Sequence, residues 1–227
     1  MSETNGSRAF STAVTTILAI CALIITALVV RREFFVPNQT PDPLEVKKEL
    51  EVAVWQKVSE QGPVIGPKNA RVKIVEFYDY ECPFCRRIKP ALDEIREKYP
   101  DDVAIIHRHF PLQFHLNAFP AAIAAECADS QDRFEAYHGL LFEKQDSLAD
   151  LQWDRLAQAV GVPDLPRFRE CVEQAIPSVR VTTDKNLAQT LEINSIPTLI
   201  VNGKLYTGAL SVDQLEEITQ QALSEDK

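Results

Sequence analysis

The chain has 227 residues, 45% of them hydrophobic and 25% charged, with a formal net charge of -9. That length allows one sizeable domain with attachments, and that balance excludes a wholly disordered chain. The acidic charge argues against nucleic acid as a partner, which would favour a basic face. There is no internal repeat and no long low-complexity tract.

Residues 1–8 form a polar N-terminal tail, and residues 9–30 carry no charged side chain. As a helix, residues 9–30 would be about 33 Å long, which predicts a transmembrane anchor. A cleaved signal peptide would have a shorter apolar core, about 7–15 residues, ending in a small-x-small site. Ala27 is followed by Leu-Val-Val, so an uncleaved anchor is expected. Arg31 and Arg32 follow the span, while only Arg8 and the amino terminus precede it. Applied literally, the positive-inside rule puts the C-terminal bulk in the cytoplasm, although large domains translocate largely regardless of flanking charge.

Residues 31–61 read as a tether and an amphipathic helix. Three prolines between residues 33 and 43 stiffen the first part. From Leu44 to Ser59, Val46, Leu50, Val54 and Val58 recur at helical spacing. Residues 62–227 form the main domain. Val72–Tyr78 reads as a buried strand, Cys85–Tyr99 as a helix and Val103–Phe110 as a second strand, a β–α–β unit with a parallel pair. A helical insertion occupies about residues 115–193. Thr198–Val201 and Lys204–Thr207 flank Asn202-Gly203, a strong hairpin signal, and a closing helix over 211–223 has Ser211 as its N-cap.

Five cysteines are present: Cys21, Cys82, Cys85, Cys127 and Cys171. That is too few for a disulfide scaffold, but the four outside the apolar N-terminal segment make two pairs and suit an oxidising compartment. Cys82-Pro83-Phe84-Cys85 lies where a strand feeds a helix. Proline is well placed at the first helical position, which makes Cys82 the N-cap. A thiolate there can accept the N–H groups of Phe84 and Cys85 and sits at the positive end of the helix dipole. Both effects lower its pKa, and Arg86 and Arg87 are expected to add positive potential. Cys85 lies one turn in, shielded, so Cys82 is expected to attack and Cys85 to resolve. The spacing alone is weak, since half a zinc site would look the same; that site needs a second ligand pair, and Cys127 and Cys171 have no close histidine. Glu76 falls inside the strand, where a buried carboxylate would be costly. Burial there would suit it to exchanging protons with Cys85; the bland alternative is a solvated, edge-facing glutamate.

The run Val-Glu-Phe-Tyr-Asp-Tyr-Glu-Cys-Pro-Phe-Cys resembles the active-site region of DsbA-like thioredoxin-fold proteins. The resemblance covers roughly residues 62–222 and includes the helical insertion, Arg108-His109-Phe110-Pro111-Leu112, Ala121–Cys127 and Ser195-Ile196-Pro197-Thr198. It implies an α/β thioredoxin fold (β–α–β, helical insertion, β–β–α) carrying a redox-active Cys82–Cys85 disulfide. It implies a cis Pro197 beside the dithiol and an Ile196 backbone that hydrogen-bonds a substrate peptide, with Phe84 also on the substrate side. It implies Glu76 as buried proton carrier. Cis is otherwise a minority state for X–Pro bonds, about 5–6%. Phe84 departs from the Pro-His of the best-known oxidases: a histidine there helps hold the thiolate, and phenylalanine cannot.

Cys127 and Cys171 fall in different predicted helices of the insertion. Their number and lack of other partners suggest a structural disulfide; two reduced, apolar thiols are the alternative. A bond there would favour an extracytoplasmic site, and that consideration outweighs the arginine count. His107 and His109 share one face of the second strand and are read as packed or surface histidines rather than metal ligands. Neither metal nor organic cofactor is implied. The expectation is a protein-disulfide oxidoreductase anchored by a single pass in the inner (cytoplasmic) membrane of a bacterium, with its domain on the periplasmic side. It would act on cysteine-containing exported proteins and be recycled by a membrane redox partner. A dedicated thiol reductase, as in cytochrome maturation, and a non-enzymatic thioredoxin-like binding module are the alternatives.

Overall fold

Side chains alternate along the strand Val72–Tyr78 (β3), and that alternation separates the two faces of the domain. In the computed structural model, which describes residues 18–27 and 44–225, Val72 and Ile74 pack into one core and Val75 and Phe77 into another. Glu76 and Tyr78 continue the first face toward the insertion.

The chain divides into two units, Met1–Asp42 and Pro43–Lys227. In the first, residues 18–27 are helical (α1). The rest of the anchor expected over residues 9–30, and the tether up to residue 43, lie outside the described residues. Among the described residues, no helix is long and apolar enough to cross a membrane.

The second unit is built on a six-stranded mixed sheet. Its strands are β1 (Lys48–Glu49), β2 (Val64–Ile65), β3, β4 (Val103–His109), β5 (Thr198–Val201) and β6 (Lys204–Thr207), in the order β1-β6-β5-β3-β4-β2. β3 and β4 run parallel, joined by helix α3 (Pro83–Lys98); the other pairs are antiparallel. On the face of Ile74, α3 and the closing helix α9 (Val212–Glu225) supply Ile88, Leu92, Ile95, Leu215 and Ile218. Between β4 and β5 the chain makes helices α4 (Ala118–Asp129), α5 (Phe134–Glu143), α6 (Trp153–Ala159), α7 (Leu165–Glu173) and α8 (Ser178–Thr190). A short 3-10 turn, Gln145–Asp150, follows α5. A disulfide between Cys127 on α4 and Cys171 on α7 staples this insertion across 44 residues. In the chain-entropy view, closing such a loop contributes about 4 kcal/mol.

Short-range signals explain the closing elements. Asn202 and Gly203 both have positive φ, at 44° and 94°, as a type I′ hairpin turn needs. The Asn202 side chain also accepts from the Lys73 amide and donates to the Arg71 carbonyl, which ties the hairpin to the start of β3. At the start of α9, the Gln214 amide donates to Ser211 Oγ and the Ser211 amide donates to Gln214 Oε1, a capping box.

The segment after the tether differs from the continuous helix expected over Leu44–Ser59. It begins as β1, which pairs Lys48 with Leu205 and Glu49 with Lys204, and only Val52–Ser59 is helical (α2). The free edge of β6 offers backbone partners that a further helical turn would forgo; the Leu50 amide donates to the Gly203 carbonyl at 2.8 Å. Leu50 and Val58 are buried against the sheet, whereas Val46 and Val54 are exposed. Pairing thus overrides the helical period.

On the α2 side, Arg108 of β4 is wholly buried and lies 2.7 Å from Asp184 of α8. It also donates to the Val58 carbonyl, and Asp184 accepts the His109 amide. One ion pair therefore joins α2, α8 and the central sheet. Removing one member of such a pair strands a buried charge at a cost of about 3–5 kcal/mol. Asp184→Ala should lower the urea midpoint by that stability with little change in slope, whereas Asp146→Ala, at the exposed Arg86–Asp146 pair, should cost under about 1 kcal/mol.

Candidate active site

Pro83 occupies the first turn of α3, and Cys82 is the N-cap, with extended backbone angles of φ -77° and ψ 117°. Both cysteines are free thiols. Cys82 is 4% exposed and Cys85 is wholly buried. The two sulfurs divide the electrostatics of this helix start. Cys82 is lowered to about 6, first by the hydrogen bond from the Cys85 thiol, with help from the Cys85 and Phe84 amides; burial and the Asp79 carboxylate oppose the shift. Burial pushes Cys85 far up, aided by its bond to Cys82 and by the charge of Glu76.

The arginines do not take part as expected. Arg86 is paired with Asp146 at 2.8 Å, and Arg87 lies over the Phe84 ring at 5.0 Å. Both tips are engaged elsewhere, so the thiol and the helix amides, not a cationic flank, lower Cys82. Phe84 itself is half exposed beside the dithiol.

The Ile196–Pro197 peptide bond is cis. The Ile196 carbonyl lies 3.9 Å from Cys82 Sγ, within reach of its S–H when Cys82 is protonated. The Pro197 carbonyl accepts the Gly208 amide, and Thr198 Oγ1 donates to the Ser195 carbonyl, so the loop is held from both sides. Glu76 is 2% exposed and lies opposite His107 in the β3–β4 register. His107 and His109 share a face of β4 and both are buried. His109 Nε2 is 3.0 Å from Glu126 Oε1. Among the described residues, no group of three or more His, Cys, Asp or Glu side chains is arranged to hold a metal.

Several contacts at the site carry no local signal in the sequence. Asp79 Oδ1 accepts the Glu81 amide, while Oδ2 accepts the Leu112 amide and lies 2.8 Å from His115 Nδ1. Burial raises the Asp79 carboxyl despite these bonds. Glu81 accepts from the Asn117 and Ala118 amides and from the Asn117 side chain, filling orphan donors at the start of α4. Gln145 donates to the carbonyls of Tyr80 and Cys82. The approach to the dithiol is thus locked to the insertion by three side chains. Asp79 and Glu81 have one hint in the sequence, two acids in the four residues before Cys82; Gln145 has none.

The thioredoxin family profile matches residues 58–221. The chain belongs to the thioredoxin family, in its DsbA-like group. Among solved structures, it is similar to the catalytic domain of ScsC from Proteus mirabilis, with 26% identity, 76% of this chain and 96% of that one covered, and a TM-score of 0.66. It is also similar to BdbD from Bacillus subtilis, with 25% identity, 79% and 98% covered, and a TM-score of 0.65. A thioredoxin-like oxidoreductase from Silicibacter pomeroyi DSS-3 gives 26% identity, 74% and 97% covered, and a TM-score of 0.64. A curated relative named Na(+)/H(+) antiporter NhaA 1, from Mycolicibacterium gilvum, is 41% identical over 155 residues, which are 66% of this chain and 24% of that protein. The chain spans about a quarter of the length of such curated relatives, and ion transport belongs to those whole proteins. The fold is that of the thiol–disulfide oxidoreductases.

An unfolded thiol titrates near about 8.5. The depressed Cys82 value therefore stabilises the reduced protein fully above that pH, and the gain is lost as pH falls through about 6. Ultraviolet absorbance of the reduced protein should report one thiolate appearing with a midpoint of about 6. Arg86→Ala should leave that midpoint in place.

Proposed function

We propose that the protein is a membrane-anchored thiol–disulfide oxidoreductase acting outside the cytoplasmic membrane on cysteines of exported proteins. The observation that carries this reading is the asymmetry of the dithiol: an N-cap thiol held low beside a buried thiol held high. Cys82 is the nucleophile and the sulfur that clients meet. Cys85 is the resolving thiol, and Glu76 exchanges its proton. Ile196, Pro197 and Phe84 form the substrate side.

In the oxidase direction, a client thiolate attacks Cys82 of the Cys82–Cys85 disulfide, and Cys85 leaves and takes up a proton. A second client thiolate then attacks the client sulfur of the mixed disulfide and frees Cys82 as thiolate. In the isomerase or reductase direction, the Cys82 thiolate attacks a client disulfide and Cys85 resolves the adduct. A stable Cys82 thiolate favours the reduced form and so makes the disulfide an oxidant. The Cys127–Cys171 disulfide suits an oxidising compartment, and the apolar run over residues 9–30 supports a single-pass anchor. Oxidative turnover consumes the disulfide, so a membrane redox partner must restore it.

Cys85→Ala should accumulate mixed disulfides with cysteine-containing exported proteins, each through Cys82, and Cys82→Ala should trap none. Equilibration with glutathione should place the reduction potential well above thioredoxin's value of about -270 mV. A potential at or below that value points to the dedicated reductase, and an absence of trapped clients points to a binding module.

A further inference from the structure

Glu76 and His107 stand opposite one another on β3 and β4, each 2% exposed and on the face that carries the dithiol helix. His107 Nδ1 lies 3.4 Å from Glu76 Oε2. Among the described residues, Glu76 Oε1 and both ring nitrogens of His107 have no hydrogen-bond partner. Buried polar atoms are normally satisfied, and unsatisfied ones cluster where chemistry uses them.

The other three histidines are committed. His109 faces Glu126, and His115 faces Asp79. His138 Nδ1 is 3.0 Å from the Tyr80 hydroxyl. Tyr78 donates to Tyr80, so the Tyr78–Tyr80–His138 chain occupies His138 Nδ1. Burial and the nearby His107, Lys89 and His109 hold His138 well below the usual histidine range, hence neutral. The titratable groups set against the His107 ring are Glu76 and Tyr78 on β3 and His138 on α5. Lys89 on α3, whose charge acts on His138, is paired with Asp93, and Glu126 on α4 is paired with His109. The His107 ring is packed by Phe134 at 5.1 Å and His138 at 4.5 Å. Its backbone is braced as well: the amide donates to the Pro63 carbonyl, and a Cβ on Gly62 would lie 2.6 Å from the His107 carbonyl. A rigid, otherwise idle imidazole is held against the acid.

We propose that His107 is the positioning residue of the resolving step: its unpartnered ring nitrogen, 3.4 Å from Glu76, receives the proton that the carboxylate takes from Cys85 and gives it back. This rests on the reading of Glu76 as proton carrier. In the reductive direction, the Cys85 S–H bond breaks and the proton passes to Glu76. The Cys85 thiolate then attacks Cys82 of the mixed disulfide. The Cys82–Cys85 bond forms, and the bond from Cys82 to the client breaks. The client sulfur leaves with its electron pair and is protonated from solvent. The dithiol loses two electrons, and the client disulfide gains them. His107 takes the proton from the neutral Glu76 and restores the carboxylate. In the oxidative direction, the proton returns through Glu76 to the departing Cys85.

The reduced full-length protein, reacted with an aromatic disulfide that releases a coloured thiol, separates the two sulfurs. The first release reports Cys82, and the second reports resolution by Cys85. His107→Gln and His107→Phe should slow the second release by about tenfold or more, remove one ionisation from its pH profile and leave the first release unchanged. In a Glu76→Gln background, His107→Gln should add no further slowing. His107→Phe keeps the ring packing if the glutamine variant folds poorly. On the unaltered protein, the His107 ring-nitrogen NMR shifts should change between the reduced and oxidised dithiol. A wild-type second release in the folded variants, or unmoved His107 shifts, overturns the proposal while a slowed Glu76→Gln keeps the Glu76 reading. A wild-type rate in Glu76→Gln removes both.

Discussion

Two sulfurs one helical turn apart at the start of α3 are driven in opposite directions, Cys82 down and Cys85 up, and that asymmetry organises the site. The helix amides help to lower Cys82, because the first N–H groups of a helix have no partner of their own. Burial raises Cys85, because a wholly buried thiol gains nothing by ionising. Two chemically identical side chains are driven apart in acidity through position alone, Cys82 held low and Cys85 held high.

The rest of the domain keeps that position. The parallel β3–β4 pair sets His107 against Glu76, whose charge is felt at Cys85. The loop before β5 brings the Ile196 carbonyl to within 3.9 Å of Cys82 Sγ. Asp79, Glu81 and Gln145 lock the turn before the dithiol to the insertion. The disulfide between α4 and α7 and the buried Arg108–Asp184 pair hold that insertion and its flanking helices on the sheet. The parts that do chemistry are few, and the parts that immobilise them come from the whole length of the domain.

Features governed by local rules were legible in the sequence. Proline after Cys82, Asn202-Gly203 and the Ser211 N-cap each determine a backbone conformation over a few residues, and the elements lie where those rules place them. Features made by long-range contact were not. β1 and β2 are two residues each and exist only through the strands they pair with. Arg86 read as a cationic flank, but its partner Asp146 is sixty residues away in the chain and becomes adjacent only once the insertion folds back. His107 looked like any packed histidine, because its relation to Glu76 depends on the strand register.

The division of labour between the sulfurs is tested most directly by timed alkylation of the reduced protein near neutral pH, with each cysteine followed by peptide mass spectrometry. The account predicts that Cys82 is modified at a rate that rises through about pH 6, while Cys85 stays unmodified until the protein is unfolded. Comparable labelling of the two cysteines in the folded protein, or Cys85 reacting first, would contradict it.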